Sequence, residues 1–286
     1  MGTLILHLDL VLYSASSLDC SPFLHGKVIF YLSIICAENC AQFKIIQLSN
    51  IKQSFRFIVV LGFYLWAYLS LRIPNAPTFK GPATPKGGYV PVYSANGTQF
   101  YLISLVAYFI LVFLNPDIPV WVYEDFGSIA AVLNLTALLL CAYLMMKGQN
   151  APEEKKDIED WEGYPVLYLF YRGIELHPRL ADVDIKQWTN CRVGMMGWAI
   201  LVINFCLANI RIHGFETTAA GSVVNAILIN IYLLKFFYWE TGYFNTLDIT
   251  LDRAGYYLCW GCLCWVQVCR SYSFMLENLS NLSEIT

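Results

Sequence analysis

Five stretches of this chain are apolar over all or nearly all of the length that a helix needs to cross a membrane. A bilayer core of roughly 30 Å requires about 20 apolar residues in helical conformation. Backbone exposed to lipid must satisfy its own hydrogen bonds, so helices are expected rather than open strands. A sixth apolar run, Gly255–Val268, is shorter. The five longer runs are Phe55–Ile73, Thr98–Asn115, Gly127–Met146, Val193–Ile212 and Ala219–Tyr238.

These runs predict an all-α fold, a polytopic transmembrane helix bundle of about six or seven helices. The composition agrees, because 57% of the 286 residues are hydrophobic and only 14% are charged. A soluble domain of this size is far less apolar. The net charge of −3, without a basic face interleaved with aromatic residues, argues against a nucleic-acid-binding protein.

The first 53 residues form a separate N-terminal segment in this interpretation. Leu4–Val11 is interrupted by His7 and Asp9 and follows no basic region, which argues against a secretory signal. Lys27–Cys40 has a marginal length for a membrane segment, with Glu38 close to its end. Two alternatives therefore stay open, a seventh membrane helix or none at this position.

Alternate loops differ sharply in charge, which predicts an orientation. The charged residues of the loop Asn115–Phe126 are all acidic, and the turn after Ile210 carries one basic residue, Arg211. By the positive-inside rule the other loops are cytosolic. Their basic residues are Arg72, Lys80, Lys86, Lys147, Lys155, Lys156, Arg172, Arg179, Lys186 and Arg192. Prolines and glycines between Pro74 and Pro91 predict a turn-rich, non-helical first cytosolic loop.

A first group of ionisable residues, Glu175, His177 and Arg179, surrounds Pro178. The proline disfavours helix at His177 and constrains the turn. One interpretation is structural, with Arg179 paired to Glu175. The other is the lining of a polar pocket, because charges at membrane depth usually face a protein-lined cavity.

A second group follows the fifth apolar run. Asp248, Asp252 and Tyr256 are four residues apart, so on one helix they form a polar stripe. Glu240 lies where the preceding membrane helix is predicted to end. Burial raises the pKa of a carboxyl group toward the range of a general acid, so the stripe is a candidate proton donor. A solvated helix start is the alternative.

Other sequence patterns indicate no site. Cys259, Cys262 and Cys264 lie in an apolar run without the histidine or second cysteine pair of a tetrahedral metal site, so packing is predicted and no metal. No glycine-rich phosphate loop follows a predicted strand. Buried acids alone also suit a transporter, but the paired repeats typical of such folds are not seen.

Several strings resemble the sterol reductases, membrane enzymes of the endoplasmic reticulum. The resemblance runs from about Phe55 to Trp265, and within the family it is strongest to the plant-type Δ7-sterol reductases. The strings are Gly81-Pro-Ala-Thr-Pro-Lys-Gly87, Pro91-Val-Tyr-Ser-Ala-Asn-Gly97, Gly173-Ile-Glu-Leu-His-Pro-Arg179, Asn190-Cys-Arg-Val-Gly-Met-Met-Gly-Trp198, Lys235-Phe-Phe-Tyr-Trp-Glu240 and Asp252-Arg-Ala-Gly-Tyr-Tyr257.

The resemblance implies NADPH-dependent reduction of the C7=C8 double bond of a sterol in a multi-pass endoplasmic-reticulum protein. The C14 double bond is the alternative substrate position. It implies a sterol, the lipid bilayer and other sterol-biosynthesis membrane enzymes as partners, and no nucleic acid. The expected catalytic residues are Asp248, Asp252, Tyr256 and Glu240, and the expected substrate-binding residues are Tyr243, Trp239, Glu175 and Arg179.

The chain also departs from the family pattern. Leu251 stands where the family usually has histidine. In the family, the strings that hold NADPH come after the part that residues 54–268 resemble. Residues 269–286 do not resemble those strings. We therefore expect a partial sterol-reductase domain over residues 54–268, without a cofactor-binding region and without reductase activity by itself. A non-catalytic sterol-binding or partner protein is the alternative.

Overall fold

The computed structural model describes residues 51–84, 88–152, 155–156, 161–215 and 220–268. The described residues all belong to one compact unit of the chain, Ile46–Thr286. The candidate membrane segment Lys27–Cys40 and the tail 269–286 lie outside the described residues. The divisions of the chain at residues 53 and 268, and the choice between six and seven membrane helices, therefore stay predictions.

The described residues are mostly helical, which confirms the predicted helical membrane fold. Four helices are long and apolar enough to cross a bilayer, and they coincide with four of the predicted runs. A shorter apolar helix, Arg56–Ser70, lies within the first run. The helices are α1 (Ile51–Ser70), α2 (Gly97–Leu114), α3 (Ile118–Glu124), α4 (Phe126–Gln149), α5 (Val166–Arg172), α6 (Gln187–His213), α7 (Ala220–Tyr238), α8 (Glu240–Tyr243), α9 (Leu247–Thr250) and α10 (Tyr256–Trp260).

Proline and glycine mark several helix ends. Helix α2 ends at Leu114, because Asn115 precedes Pro116 and a residue before proline disfavours the helical conformation. Helices α5 and α6 stop at Gly173 and Gly214, which have φ values of +79° and +87°. Glycine adopts these left-handed values without steric cost, so it ends a helix readily.

Helix α6 is the central helix of the bundle. In its membrane window 72% of the residues are buried, against 28% in α2 and 39% in α4. It packs against α1, α2, α3 and α7. It also starts earlier than the apolar run predicted, at Gln187 instead of Val193, with π-helical turns as far as Gly194. The polar residues of these turns are buried against protein, so they extend the helix although they interrupt its apolar pattern.

Two short hairpins lie in the loops between helices. Strands β1 (Thr78–Lys80) and β2 (Val92–Ser94) pair antiparallel in the loop that was predicted to be non-helical. Strands β3 (Arg179–Leu180) and β4 (Val183–Asp184) are joined by Ala181 and Asp182, both with positive φ. Two positive φ values in a two-residue loop match the twist of a hairpin.

Contacts between loops group them as the charge pattern predicted. At one end of the bundle Arg56 forms an ion pair with Asp125 of the acidic loop. Near the other end Arg72 donates a hydrogen bond of 2.9 Å to the carbonyl oxygen of Ala181, and Lys147 pairs with Glu175. The basic loops thus share one end of the molecule, and its cytosolic orientation stays a prediction.

Candidate functional site

A buried ion pair joins the start of α6 to the start of α8, just after α7 ends. Arg192 is fully buried and contacts both carboxylate oxygens of Glu240, with the second contact at 3.1 Å. The same guanidinium donates 2.8 Å to the side-chain oxygen of Asn96 and lies 5.1 Å from the centre of the Phe100 ring. A bidentate pair fixes the relative position of its two elements. Glu240 is therefore held by a cation rather than left unpaired.

The neighbours of Glu240 differ in exposure. Trp239 is 57% exposed, and the Lys235 ammonium lies 4.9 Å from the centre of its ring. The hydroxyl group of Tyr243 accepts a hydrogen bond from Asn190 of α6. Burial raises the pKa of Tyr243 well above its ordinary value, so this phenol keeps its proton.

A polar cluster lies beneath the first hairpin. The Tyr93 hydroxyl is 3.2 Å from Nδ1 of His177, which lies 3.6 Å from the Asp184 carboxylate. Asp184 accepts the main-chain N–H of Gln187 at 3.0 Å. Next to it, the fully buried Lys186 donates hydrogen bonds to two carbonyl oxygens, that of Ile249 in α9 and that of Asp252 just after α9.

Glu175 has a different partner from the one predicted. It pairs with Lys147 of α4, whereas Arg179 donates to the carbonyl oxygens of Asp182 and Val92. The expectation that Arg179 pairs with Glu175 is therefore wrong. The β3–β4 hairpin directs Arg179 toward its own turn and toward β2, while the constrained chain before Pro178 leaves Glu175 facing α4.

The second group of ionisable residues does not form one helical stripe, so that prediction is wrong. Helix α9 ends at Thr250, and α10 begins only at Tyr256. Asp248 is exposed on α9, and Asp252 lies in the connection, 3.2 Å from the guanidinium of Arg172. The stripe breaks because Lys186 and Glu175, which are distant in sequence, contact this connection and hold it in a non-helical conformation.

Two glycines let this connection approach α5 closely. A Cβ atom on Gly255 would lie 2.2 Å from the main-chain nitrogen of Gly173, and one on Gly173 would lie 2.6 Å from the carbonyl carbon of Ala254. The N–H of Ala254 donates 3.0 Å to the carbonyl oxygen of Glu175. Two of the strings that carry the family resemblance, Gly173–Arg179 and Asp252–Tyr257, therefore contact each other main chain to main chain.

Tyr256 begins α10 inside an aromatic cluster. Its ring stacks on Trp260 at 5.1 Å and lies 5.6 Å from Phe170 and 6.3 Å from Tyr171 of α5. Tyr256 and Asp252 thus both face α5, and we call this region the α5–α10 corner, made of residues 170–173 and 252–256. A buried phenol, a carboxylate and apolar side chains occur together at this corner.

The structure divides the eight predicted site residues among separate places. Asp252 and Tyr256 lie at the α5–α10 corner, and Glu175 adjoins it through its carbonyl oxygen. The remaining residues lie outside the corner, with Glu240 and Tyr243 against α6, Asp248 and Trp239 exposed, and Arg179 in its hairpin.

Arg172, Lys186 and Arg192 were missed as site residues because the sequence counts them only as loop charges. Arg192 adjoins an apolar run directly, and that position is the one signal that marks it as buried. The cysteines at 259, 262 and 264 are buried, as the packing interpretation predicted.

Basic side chains near the α5–α10 corner and the Arg192–Glu240 pair are not free to meet the phosphates of a dinucleotide such as NADPH. Phosphate sites use basic side chains or helix N-termini that are free to meet the ligand. Lys147, Arg172 and Arg192 are each engaged by a carboxylate. Lys186 is fully buried and bound to main-chain carbonyl groups.

Comparison with known proteins gives one consistent family. The model of the family described as Ergosterol biosynthesis ERG4/ERG24 matches residues 2–280. A 7-dehydrocholesterol reductase of Arabidopsis thaliana is 40% identical over 201 residues, which cover 70% of this chain and 45% of the relative. A Delta(14)-sterol reductase of Methylotuvimicrobium alcaliphilum is 28% identical over 193 residues, which cover 66% of this chain and 43% of the relative.

A third relative, the Delta(14)-sterol reductase LBR of Gallus gallus, is 28% identical over 174 residues, covering 61% of this chain and 27% of the relative. The chain thus spans less than half the length of each of these three relatives.

Proposed function

Because this chain belongs to the Ergosterol biosynthesis ERG4/ERG24 family of sterol reductases, we propose that it binds a sterol for reduction of the C7=C8 double bond. The observation that carries this proposal is the 40% identity to a plant 7-dehydrocholesterol reductase. The two Delta(14)-sterol reductases are less similar, at 28% each. The α5–α10 corner supports the proposal, because it sets the buried rings of Tyr256 and Trp260 beside the half-buried rings of Phe170 and Tyr171, and sterol sites are mostly apolar and aromatic.

Reduction of a carbon–carbon double bond adds a hydride to one carbon and a proton to the other. The protein must orient the ring and supply the proton from a positioned acid. We assign the proton to the hydroxyl group of Tyr256, which is buried beside Phe170 and Trp260. Asp252, held 3.2 Å from Arg172, orients the corner as a fixed negative charge.

The other predicted site residues take lesser roles in this proposal. Glu240 and Tyr243 hold α7 and α8 against α6, and Glu175 supports the corner from α4 through Lys147. Asp248 and Trp239 are exposed and lie where a sterol enters from the bilayer. Arg179 holds the β3–β4 hairpin.

NADPH, the hydride donor that the family resemblance implies, supplies the electron pair when it is bound. The basic side chains near the α5–α10 corner are engaged by carboxylates, so we assign to this region only sterol binding and proton donation. We place the chain in the endoplasmic-reticulum membrane as a multi-pass protein, beside other membrane enzymes of sterol biosynthesis. Its membrane-spanning helices and its family support this placement.

Equilibrium binding of labelled 7-dehydrocholesterol to the full chain in lipid nanodiscs tests the proposal. We expect saturable binding without oxidation of added NADPH. Tyr256→Ala should weaken binding about tenfold, a loss of about 1.4 kcal/mol, because a buried ring contact disappears. The control Tyr257→Ala removes a partly exposed neighbour and should change binding little. A folded natural chain without saturable binding would overturn the proposal.

Reduction at C14 is the second candidate, favoured by the two Delta(14)-sterol reductase relatives. The same nanodisc assay separates the candidates when a sterol unsaturated at C14 competes with 7-dehydrocholesterol. Stronger binding of the C14-unsaturated sterol would favour the second candidate over the first.

A further inference from the structure

Lys186 is a fully buried lysine whose ammonium group contacts main-chain oxygen atoms. It stands just before α6 and donates to the carbonyl oxygen of Ile249 and, at 3.0 Å, to that of Asp252. Burial of an ammonium group is costly unless hydrogen bonds and an opposite charge compensate for it. A lysine retained at such a position therefore indicates a specific structural task.

The compensating charge is close by. Asp184, two residues earlier, is buried and carries its own hydrogen bond from the N–H of Gln187 at 3.0 Å. The other carboxylate oxygen of Asp184 lies 3.6 Å from Nδ1 of His177. Opposite charges attract strongly in a protein interior. Asp184, whose charge interacts with that of Lys186, therefore lowers the cost of burying the ammonium group.

Several contacts fix the segment that Lys186 holds. Between the end of α9 and the start of α10, the N–H of Ala254 bonds to the Glu175 carbonyl, the Asp252 carboxylate reaches Arg172, and the Arg253 guanidinium donates 2.9 Å to the carbonyl oxygen of Gly173. Lys186 binds the main chain of Asp252 itself. This contact therefore helps to set the direction of the Asp252 side chain just before α10.

We propose that Lys186 is a positioning residue for sterol binding, which it affects by fixing the Ile249–Asp252 main chain so that Asp252 and Tyr256 face α5. This inference rests on the proposed function for its effect on binding. Its effect on the backbone is independent of any ligand.

A double-mutant cycle on the affinity for 7-dehydrocholesterol tests the functional part. Lys186→Met and Asp252→Asn should each weaken binding about tenfold, and the double variant should be no weaker than the more severe single variant. Such non-additivity is expected because Lys186 acts through the Asp252 segment. Additive losses would show that Lys186 supports the fold in general, and would overturn the proposal.

Controls keep the cycle interpretable. Thr189→Val changes another fully buried side chain on the first turns of α6, whose hydroxyl donates to the main-chain oxygens of Ile185 and Lys186 just before the helix. It should combine additively with Asp252→Asn. If Lys186→Met does not fold, Lys186→Gln retains an amide donor and should show the same coupling at smaller size.

Hydrogen exchange measured by mass spectrometry tests the backbone part without any sterol. In the natural chain, the peptide around Ile249–Asp252 should exchange slowly, and in the Lys186 variant it should exchange at least about tenfold faster, since one decade corresponds to about 1.4 kcal/mol. Unprotected exchange of this peptide in the folded natural chain would overturn the proposal. Should the natural chain bind no sterol while the exchange result holds, only the proposed function fails.

Discussion

At the residue scale, buried charges in this protein are paired by contacts that join distant parts of the chain. Arg192 and Glu240 are 48 positions apart, and Lys147 and Glu175 are 28 apart. A lone buried charge would be strongly unfavourable, so removing either partner exposes the other to that cost. These ion pairs fix the relative positions of the elements that they join.

His177 leads to a pH prediction at this scale. Burial lowers the pKa of His177 below its ordinary value of about 6.5, although the adjacent Asp184 opposes this shift. The unfolded chain therefore binds more protons than the folded one as the pH falls below about 6.5, and folding stability decreases there. The thermal unfolding midpoint of the detergent-solubilised protein should drop between pH 7 and pH 5.

Substitution of His177 distinguishes its contribution to the pH dependence of stability from that of other groups. His177→Gln should flatten this pH dependence, whereas His213→Gln, at an exposed position, should leave it unchanged. Burial alone would raise the pKa of Asp184, but the adjacent His177 and the charge of Lys186 bring it below the ordinary value. The folding stability that ionised Asp184 contributes is therefore lost only at lower pH. An unaltered slope in His177→Gln would show that another group controls acid stability.

At the scale of elements, the docking of α10 on α5 depends on main-chain contact. Gly173 and Gly255 allow the two segments to approach within a distance that a side chain would prevent. The contact places Tyr256 among the aromatic residues of α5. An aromatic pair adds about 0.5–1.5 kcal/mol beyond the burial of its area, but only if the backbones can come together first.

Gly255→Ala should therefore destabilise the protein by about 1–3 kcal/mol, the usual cost of overpacking. The matched control is Gly261→Ala in the same segment, where an added Cβ meets nothing within 4 Å. That control should be neutral or stabilising by up to about 1 kcal/mol, since alanine favours helix over glycine. Equal thermal unfolding midpoints for the two variants would contradict the close packing of this corner.

At the scale of the whole molecule, the loops of one end carry most of the positive charge. The ion pairs Arg56–Asp125 and Arg211–Asp117 mark the opposite end. Grouping of the loops follows from the alternation of membrane crossings, and the side on which each group lies follows from the positive-inside rule. Orientation is thus a property that can be tested independently of the sterol site.

Thiol labelling of sealed microsomes checks this orientation. With a membrane-impermeant maleimide, Lys80→Cys should be labelled from outside the vesicles, and Asp117→Cys only after permeabilisation. Both positions are exposed, and the cysteines of the described residues are buried. The natural chain measures the background labelling. The reverse pattern would place the basic loops in the lumen.

Several features were predictable because they depend on neighbouring residues alone. The helix boundary near Asn115 follows from local backbone preferences. The start of α6 was predicted too late, at Val193, because Gln187–Arg192 is polar although buried. Periodicity reports how apolar a segment is, and it does not show whether a polar side chain will find a partner.

The amino-acid sequence by itself determined a helical membrane protein and the position of its long apolar helices, because helix hydrogen bonds are local and the bilayer selects for apolar length. Only the tertiary structure decided that Glu175 pairs with Lys147, that the connection after α9 is not helical, and that Tyr256 faces α5. Each of these depends on the approach of side chains and main chain that are far apart in sequence, and such contacts are specified by packing rather than by local preference.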